Sequence, residues 1–176
     1  MHIYHHIDEF TRLNNAIVTI GTFDGVHLGH RKIISGIKEL AESTGGETVL
    51  LTFFPHPRMI LHPEDESIKL INTIPEKAEL LEQLGIDHLI ITPFSRDFSN
   101  QSAGEYIRDV LVNKIGTKKI VIGYDHRFGK DRQGGNRTGS NVRSTASKLP
   151  KCFIMSERQS SDSLMLLRFP MRTGSR

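Results

Sequence analysis

A chain of 176 residues is long enough for one domain with a full core, and 37% hydrophobic with 24% charged residues excludes a disordered or fibrous protein. A single cysteine, Cys152, rules out an intramolecular disulfide and a cysteine-built zinc cluster. No apolar run approaches the roughly 18 residues of a membrane span and the amino-terminal residues do not read as a signal peptide, so a cytoplasmic protein without a membrane partner is expected.

Taken in order, residues 1–13 read as a lead-in or short first strand. Residues 16–20 are apolar or β-branched and read as a buried strand. Gly21-Thr22-Phe23-Asp24-Gly25-Val26-His27-Leu28-Gly29-His30 follows as a glycine-rich turn that delivers two histidines to the start of a helix over 31–44, closed by Gly45-Gly46. Unpaired N–H groups and the positive end of the helix dipole make such a turn a natural phosphate site. The spacing fits neither a P-loop nor a dinucleotide fingerprint. Residues 47–54 form the next strand, a continuous apolar run suited to a sheet covered on both faces.

Thr73, Pro75 and Glu76 give the second long helix a capping box, with Gly85 just past its end. A strand over 88–92 is followed by a helix opened by Ser102 and Glu105 and ended by Gly116, then by a strand over 118–122. Alternation of this kind predicts an α/β fold, an open parallel sheet with right-handed crossovers, whose ligands lie beyond the carboxyl ends of the strands. Four loops fall there: 21–30, then Phe53-Phe54-Pro55-His56-Pro57-Arg58, then 93–98, then Gly123-Tyr124-Asp125-His126-Arg127-Phe128-Gly129.

The ten-residue pattern ending in His27-Leu28-Gly29-His30 resembles the HxGH nucleotidyltransferase superfamily, with its Rossmann-like fold. In the Gly-Thr-Phe-Asp-Gly-Val-His form it is most similar to the FMN adenylyltransferase half of bacterial riboflavin kinase/FAD synthetases. The resemblance implies transfer of AMP from ATP to FMN, giving FAD and pyrophosphate. It implies catalytic roles for His27, His30, Asp125 and Arg127, and nucleotide contacts from Gly21, Thr22, Phe23, Asp24, Gly25, Gly29 and Gly123. Flavin contacts fall to Phe54, Pro55, His56, Pro57, Arg58 and Phe128. Mg²⁺ is implied as a companion of ATP, held by phosphate oxygens and water rather than by protein ligands. The bland alternatives are a strand-to-helix turn whose histidines only cap the helix, core packing for Phe53, and a surface pair for Asp125 and Arg127. Other HxGH transferases, for cytidylyl or phosphopantetheine substrates, and a non-catalytic flavin- or nucleotide-binding remnant are the competing functions; the Phe-Phe-Pro-His-Pro-Arg loop argues against the former.

The motif resemblance covers residues 1–135. Beyond it, residues 136–176 carry eight basic and two acidic residues, a balance of +6, against −3 for the first 135. This serine-rich stretch lacks both a sustained apolar period and the Ser-Ser-Thr-x-Ile-Arg segment that the family uses to grip phosphates. It reads as an atypical, partly disordered basic tail of the kind a frameshift or truncation leaves, with the riboflavin kinase module absent and adenylyl transfer slow or absent. It carries no recognisable nucleic-acid-binding module, so nucleic acid is not an expected partner.

Overall fold

The computed structural model describes residues 1–123, 127–128, 134–135 and 153–157. Its strands are β1 (His2–Tyr4), β2 (Ala16–Ile20), β3 (Glu47–Phe53), β4 (His88–Thr92), β5 (Thr117–Gly123), β6 (Arg127–Phe128), β7 (Gly134–Gly135) and β8 (Phe153–Glu157). One sheet runs in the order β1-β4-β3-β2-β5-β8 with every neighbouring pair parallel, while β6 and β7 pair antiparallel as a separate ribbon. The α/β parallel architecture expected from the alternation is therefore present.

The sheet is apolar on both faces because helices cover both. Ala16, Val18, Ile20, Val49, Leu51, Ile90, Ile120 and Ile122 point to one side, where Tyr106, Ile107, Leu111 and Ile115 meet them. Ile17, Leu50, Leu89, Ile91 and Val121 point to the other, against helices α1 (Leu28–Thr44) and α3 (Ile74–Gln83). Successive strand residues thus serve opposite cores, as the two-residue strand period requires.

Helix ends follow their caps. α1 begins three residues earlier than its apolar stripe suggests, because the His27 side chain accepts the His30 N–H and starts the helix at Leu28. α3 carries the expected capping box, with Thr73 and Glu76 each bonded to the other's backbone. The last long helix starts as α5 (Ala103–Glu105) under the Ser102–Glu105 box and winds on as a π-helix over Tyr106–Ile115, ending at Gly116 with φ 82°. Two short helices were not expected. α2 (Pro57–Leu61) and α4 (Arg96–Asn100) are five residues each, started by side-chain acceptors on His56 and Ser95. Both lie where the sequence reads as loop, since one turn leaves no periodic signature.

β8 lies beyond residue 135, in the stretch whose composition shows no strand. It pairs in register with β5, Lys119 opposite Phe153 through Gly123 opposite Glu157, and forms the sheet edge. A five-residue edge strand takes its hydrogen bonds from its neighbour, so it needs little pattern of its own. The sequence also offers the apolar run Leu164-Met165-Leu166-Leu167 as a segment that could pack on the open sheet edge, and it lies outside the described residues.

At the amino end of the sheet, buried His88 joins three strands. Its Nε2 meets Glu47 Oε2 at 2.9 Å and its Nδ1 meets the Tyr4 hydroxyl at 3.3 Å. No helix among the described residues is long and apolar enough to cross a membrane.

Candidate active site

The parallel strands bring the loops after β2, β3 and β4, and the exit of β5 at Gly123, to one edge. Gly21 donates its N–H to Leu51 O at 3.0 Å, and Phe54 donates to Thr92 O at 3.1 Å, so the exits of β2, β3 and β4 stand side by side. From β2 the chain proceeds through β3 and β4 in one direction, while β5 lies on the other flank. The topological switch point therefore falls between the carboxyl ends of β2 and β5, at Gly21 and Gly123, where open α/β sheets bind their ligands.

The turn after β2 has an unusual backbone. Phe23 and Val26 take positive φ of 46° and 38°, and Gly25 takes 73°. The two side chains offset part of this strain by burying themselves in the core beneath α1, Phe23 at 2% and Val26 at 1% exposure. Gly25 is favoured by its left-handed φ of 73°, and at Gly21 an added Cβ would come to 3.0 Å of the Phe23 ring, close enough that the ring would have to give way slightly. Asp24 accepts hydrogen bonds from the N–H of Ile71 at 3.0 Å and of Asn72 at 3.1 Å. The Thr22 carbonyl accepts from Thr52 Oγ1 at 3.2 Å and from Lys77 Nζ at 2.7 Å.

The two motif histidines lie against each other at the start of α1, ring centroids 3.6 Å apart and 20° from parallel. His30 also packs on Phe23, centroids 4.7 Å apart. His27 Nδ1 accepts the His30 N–H at 3.4 Å, which in the neutral ring places the proton on Nε2. Gly29 admits this arrangement, its Cβ position being 3.3 Å from the His27 ring. His27 is exposed and His30 half-buried. The result is a pair of stacked imidazoles joined to the N-terminal end of a 17-residue helix, an arrangement that stabilises negative charge.

Beside it lies the loop after β3. Phe54 is exposed at 48%, the Phe54–Pro55 peptide is cis, and Pro55 and Pro57 bracket a half-buried His56. His56 Nδ1 accepts the Arg58 N–H at 3.2 Å, again leaving Nε2 as the protonated nitrogen of the neutral ring. Burial pushes the His56 imidazole below its ordinary value, and nearby Lys77 and Arg58 push the same way against Asp24. The Arg58 side chain is paired with Asp65 at 2.8 Å. Asp65 also accepts from the Ser67 N–H at 3.1 Å. After β4, Phe94 and Phe98 close an aromatic cluster with Phe53 and Tyr106, so Phe53 belongs to the packing and Phe54 to the surface.

A family model described as FAD synthetase matches residues 9–162. The chain belongs to the FAD synthetase family. Its relatives include bifunctional riboflavin kinase/FMN adenylyltransferases of Listeria monocytogenes, 34% identical over 136 residues, of Bacillus subtilis, 33% over 137, and of Escherichia coli K12, 33% over 119. These alignments take in 76%, 78% and 68% of this chain but 43%, 42% and 38% of the relatives, so the chain spans less than half their length. Among solved structures, a macrolide-efflux protein from Streptococcus pneumoniae superposes with a TM-score of 0.72 at 21% identity, over 90% of this chain and 52% of that one. Pantothenate synthetase from Thermus thermophilus superposes at 0.55 and 14%, over 89% and 61%. At these identities the likeness is one of fold. The FAD synthetase match continues past residue 135, where the motif resemblance stops, and takes in β8.

In this FAD synthetase family member the structure brings together the 21–30 turn and the 54–58 loop, with Gly123 at the neighbouring strand exit. Arg127 and Phe128 lie in β6, and Asp125 falls outside the described residues. Two features of the site were missed from sequence. Asp24 turns its carboxylate to the backbone of residues 71–72, and Lys77 reaches the turn from α3. Ile74, Lys77, Ala78 and Leu81 share one helical stripe, and a lysine at an otherwise apolar position is the signal that reveals it.

Asp24 also makes a pH prediction. Burial disfavours its charge, but the amides of Ile71 and Asn72 and the Lys77 ammonium outweigh that and hold it below the ordinary 3.8. Because the folded value is the lower one, its stabilisation is complete above the unfolded value and disappears as pH falls through the folded one. The stability lost in Asp24→Asn, measured by urea unfolding, should be constant from pH 7 to about 5 and should shrink below 3.8. A gap unchanged down to about pH 3 would show that the Asp24 charge does not hold the loop.

Proposed function

We propose that this chain carries out FMN adenylyl transfer, moving AMP from ATP to FMN to give FAD and pyrophosphate. The observation that carries this reading is the stacked His27–His30 pair at the N-terminus of α1, at the switch point of a parallel sheet, in a member of the FAD synthetase family. An oxygen of the FMN phosphate attacks the α-phosphorus of ATP, the bond from that phosphorus to the bridging oxygen breaks, and pyrophosphate leaves with the electron pair. The attacking oxygen is already ionised, so no general base is needed; the protein aligns the groups and neutralises charge. The imidazole N–H groups of His27 and His30 and the amides of the turn serve the departing phosphates. Exposed Phe54 offers an aromatic surface to the flavin, and His56, neutral near pH 7, a polar edge beside it.

Mg²⁺ is inferred to enter on the ATP phosphates, since it keeps most of its water and needs few protein ligands. The turn's own carboxylate, Asp24, already accepts amide hydrogen bonds, which suits an ion that arrives with its substrate. A cytoplasmic location follows from the same reading, because ATP and FMN are both cytoplasmic metabolites.

The test is incubation with ATP, FMN and Mg²⁺, with FAD and pyrophosphate quantified separately. Equal amounts of the two are expected, and neither when CTP replaces ATP or phosphopantetheine replaces FMN. Binding of both substrates without pyrophosphate release would overturn the transferase reading.

A further inference from the structure

The phosphate turn holds a shape that its residues resist. Left-handed φ is unfavourable for side chains as bulky as Phe23 and Val26, and it persists only where surrounding bonds over-determine it. Those bonds come from outside the turn: Thr52 and Lys77 on the Thr22 carbonyl, the amides of residues 71 and 72 on Asp24, and Arg31 Nε on Val26 O at 3.2 Å. Lys77 differs from the rest. It is 4% exposed and sits on the buried stripe of α3 beside Ala78 and Leu81, where a hydrocarbon side chain would be the less costly choice. Burying an ammonium is unfavourable unless it is bonded, and this one directs its charge at a main-chain carbonyl. Burial pushes the Lys77 ammonium below its ordinary value while Asp24 opposes the shift, so the two charges lie within reach of each other.

We propose that Lys77 is a positioning residue for the adenylyl-transfer site, its ammonium fixing the Thr22 carbonyl and thereby the placement of the His30 and His27 rings. The proposal rests on the reading of this turn as the ATP site. The path is short and rigid. The Thr22–Phe23 peptide is trans and planar, so holding its C=O toward α3 turns the Phe23 N–H to the opposite side. Phe23 is the next residue, buried and in ring contact with His30, and His30 stacks on His27. Rotation of the Thr22 peptide would therefore move both imidazoles.

Lys77→Met removes donor and charge at similar length, and Lys77→Arg keeps both. In the ligand-free protein the ring resonances of His27 and His30, assigned with His27→Gln and His30→Gln, report the stacking by NMR. Lys77→Met should shift or broaden both, leave His2 and His88 at the far end of the sheet unchanged, and be restored by Lys77→Arg. Should Lys77→Met fail to fold, Lys77→Gln, uncharged but polar, decides in the same way. Titration with Mg-ATP should then show affinity weakened on the order of tenfold in Lys77→Met and recovered in Lys77→Arg, the size expected for one lost charge-assisted hydrogen bond. Wild-type protein that binds ATP but forms no FAD would defeat the transferase reading while the spectra still support Lys77. A folded Lys77→Met or Lys77→Gln with a lower melting point but unmoved His27 and His30 signals would reduce Lys77 to a packing role and overturn the proposal.

Discussion

Replacing His30 by alanine should lower the rate of FAD formation by about 10²- to 10³-fold, the usual cost of deleting one preorganised donor to transition-state charge. The ring is held between Phe23 and His27, centroids 4.7 and 3.6 Å away, so little orientational freedom is left for it to lose in a transition state. Its partner ring is itself fixed by the His30 N–H, which alanine retains, and α1 should therefore keep its cap. The loss should appear in kcat more than in the KM for ATP, because charge on the departing pyrophosphate grows mainly in the transition state. Steady-state kinetics on a variant with a native circular dichroism spectrum makes the check. Turnover equal to wild type would remove His30 from the chemistry.

Gly116→Ala should be the most destabilising single-methyl change in the described structure, at roughly 3 kcal/mol or more. Gly116 ends the π-helical segment at φ 82°, and an added Cβ would come to 1.9 Å of the Leu13 carbonyl oxygen. Neither neighbour can retreat easily. Leu13 donates its N–H to Ile115 O at 3.1 Å, and Ala16 donates to Gly116 O at 3.4 Å, so the amino-terminal segment is stitched to this corner just before β2. Gly45 is the control: its φ is 61°, but nothing lies within 4 Å of its Cβ position, so Gly45→Ala should cost only the left-handed penalty of roughly 1 to 2 kcal/mol. Urea or thermal unfolding compares them. Equal losses at the two sites would mean that the Leu13 contact relaxes without cost.

Much of the α/β order is legible because caps and periods are local. Thr73 with Glu76, Ser102 with Glu105, and the glycines at 45, 85 and 116 mark helix ends in sequence and occupy those places in the structure. The turn motif is legible for the same reason, since residues 21–30 form one contiguous string whose histidines share the start of one helix. The roles within the string were less so. Asp24 reads as a nucleotide contact, yet its carboxylate is bonded to amides 47 and 48 residues away. His56 reads as a flavin contact and also starts a five-residue helix, which no periodicity foretells.

The sequence by itself determined the alternation of strands and helices, the apolar runs that both sheet faces bury, and the strand-to-helix turn with its two histidines, because each depends on neighbours within a few positions. Only the tertiary structure decided the strand order, which puts β2 between β3 and β5 and so locates the switch point. It alone gave β8 its place at the edge, through hydrogen bonds lent by β5. It alone also brought Lys77 to the Thr22 carbonyl, 55 residues away in sequence. A buried lysine has no meaning until its acceptor is known, since the same side chain is a solvated surface charge in one packing and a fixed donor in another.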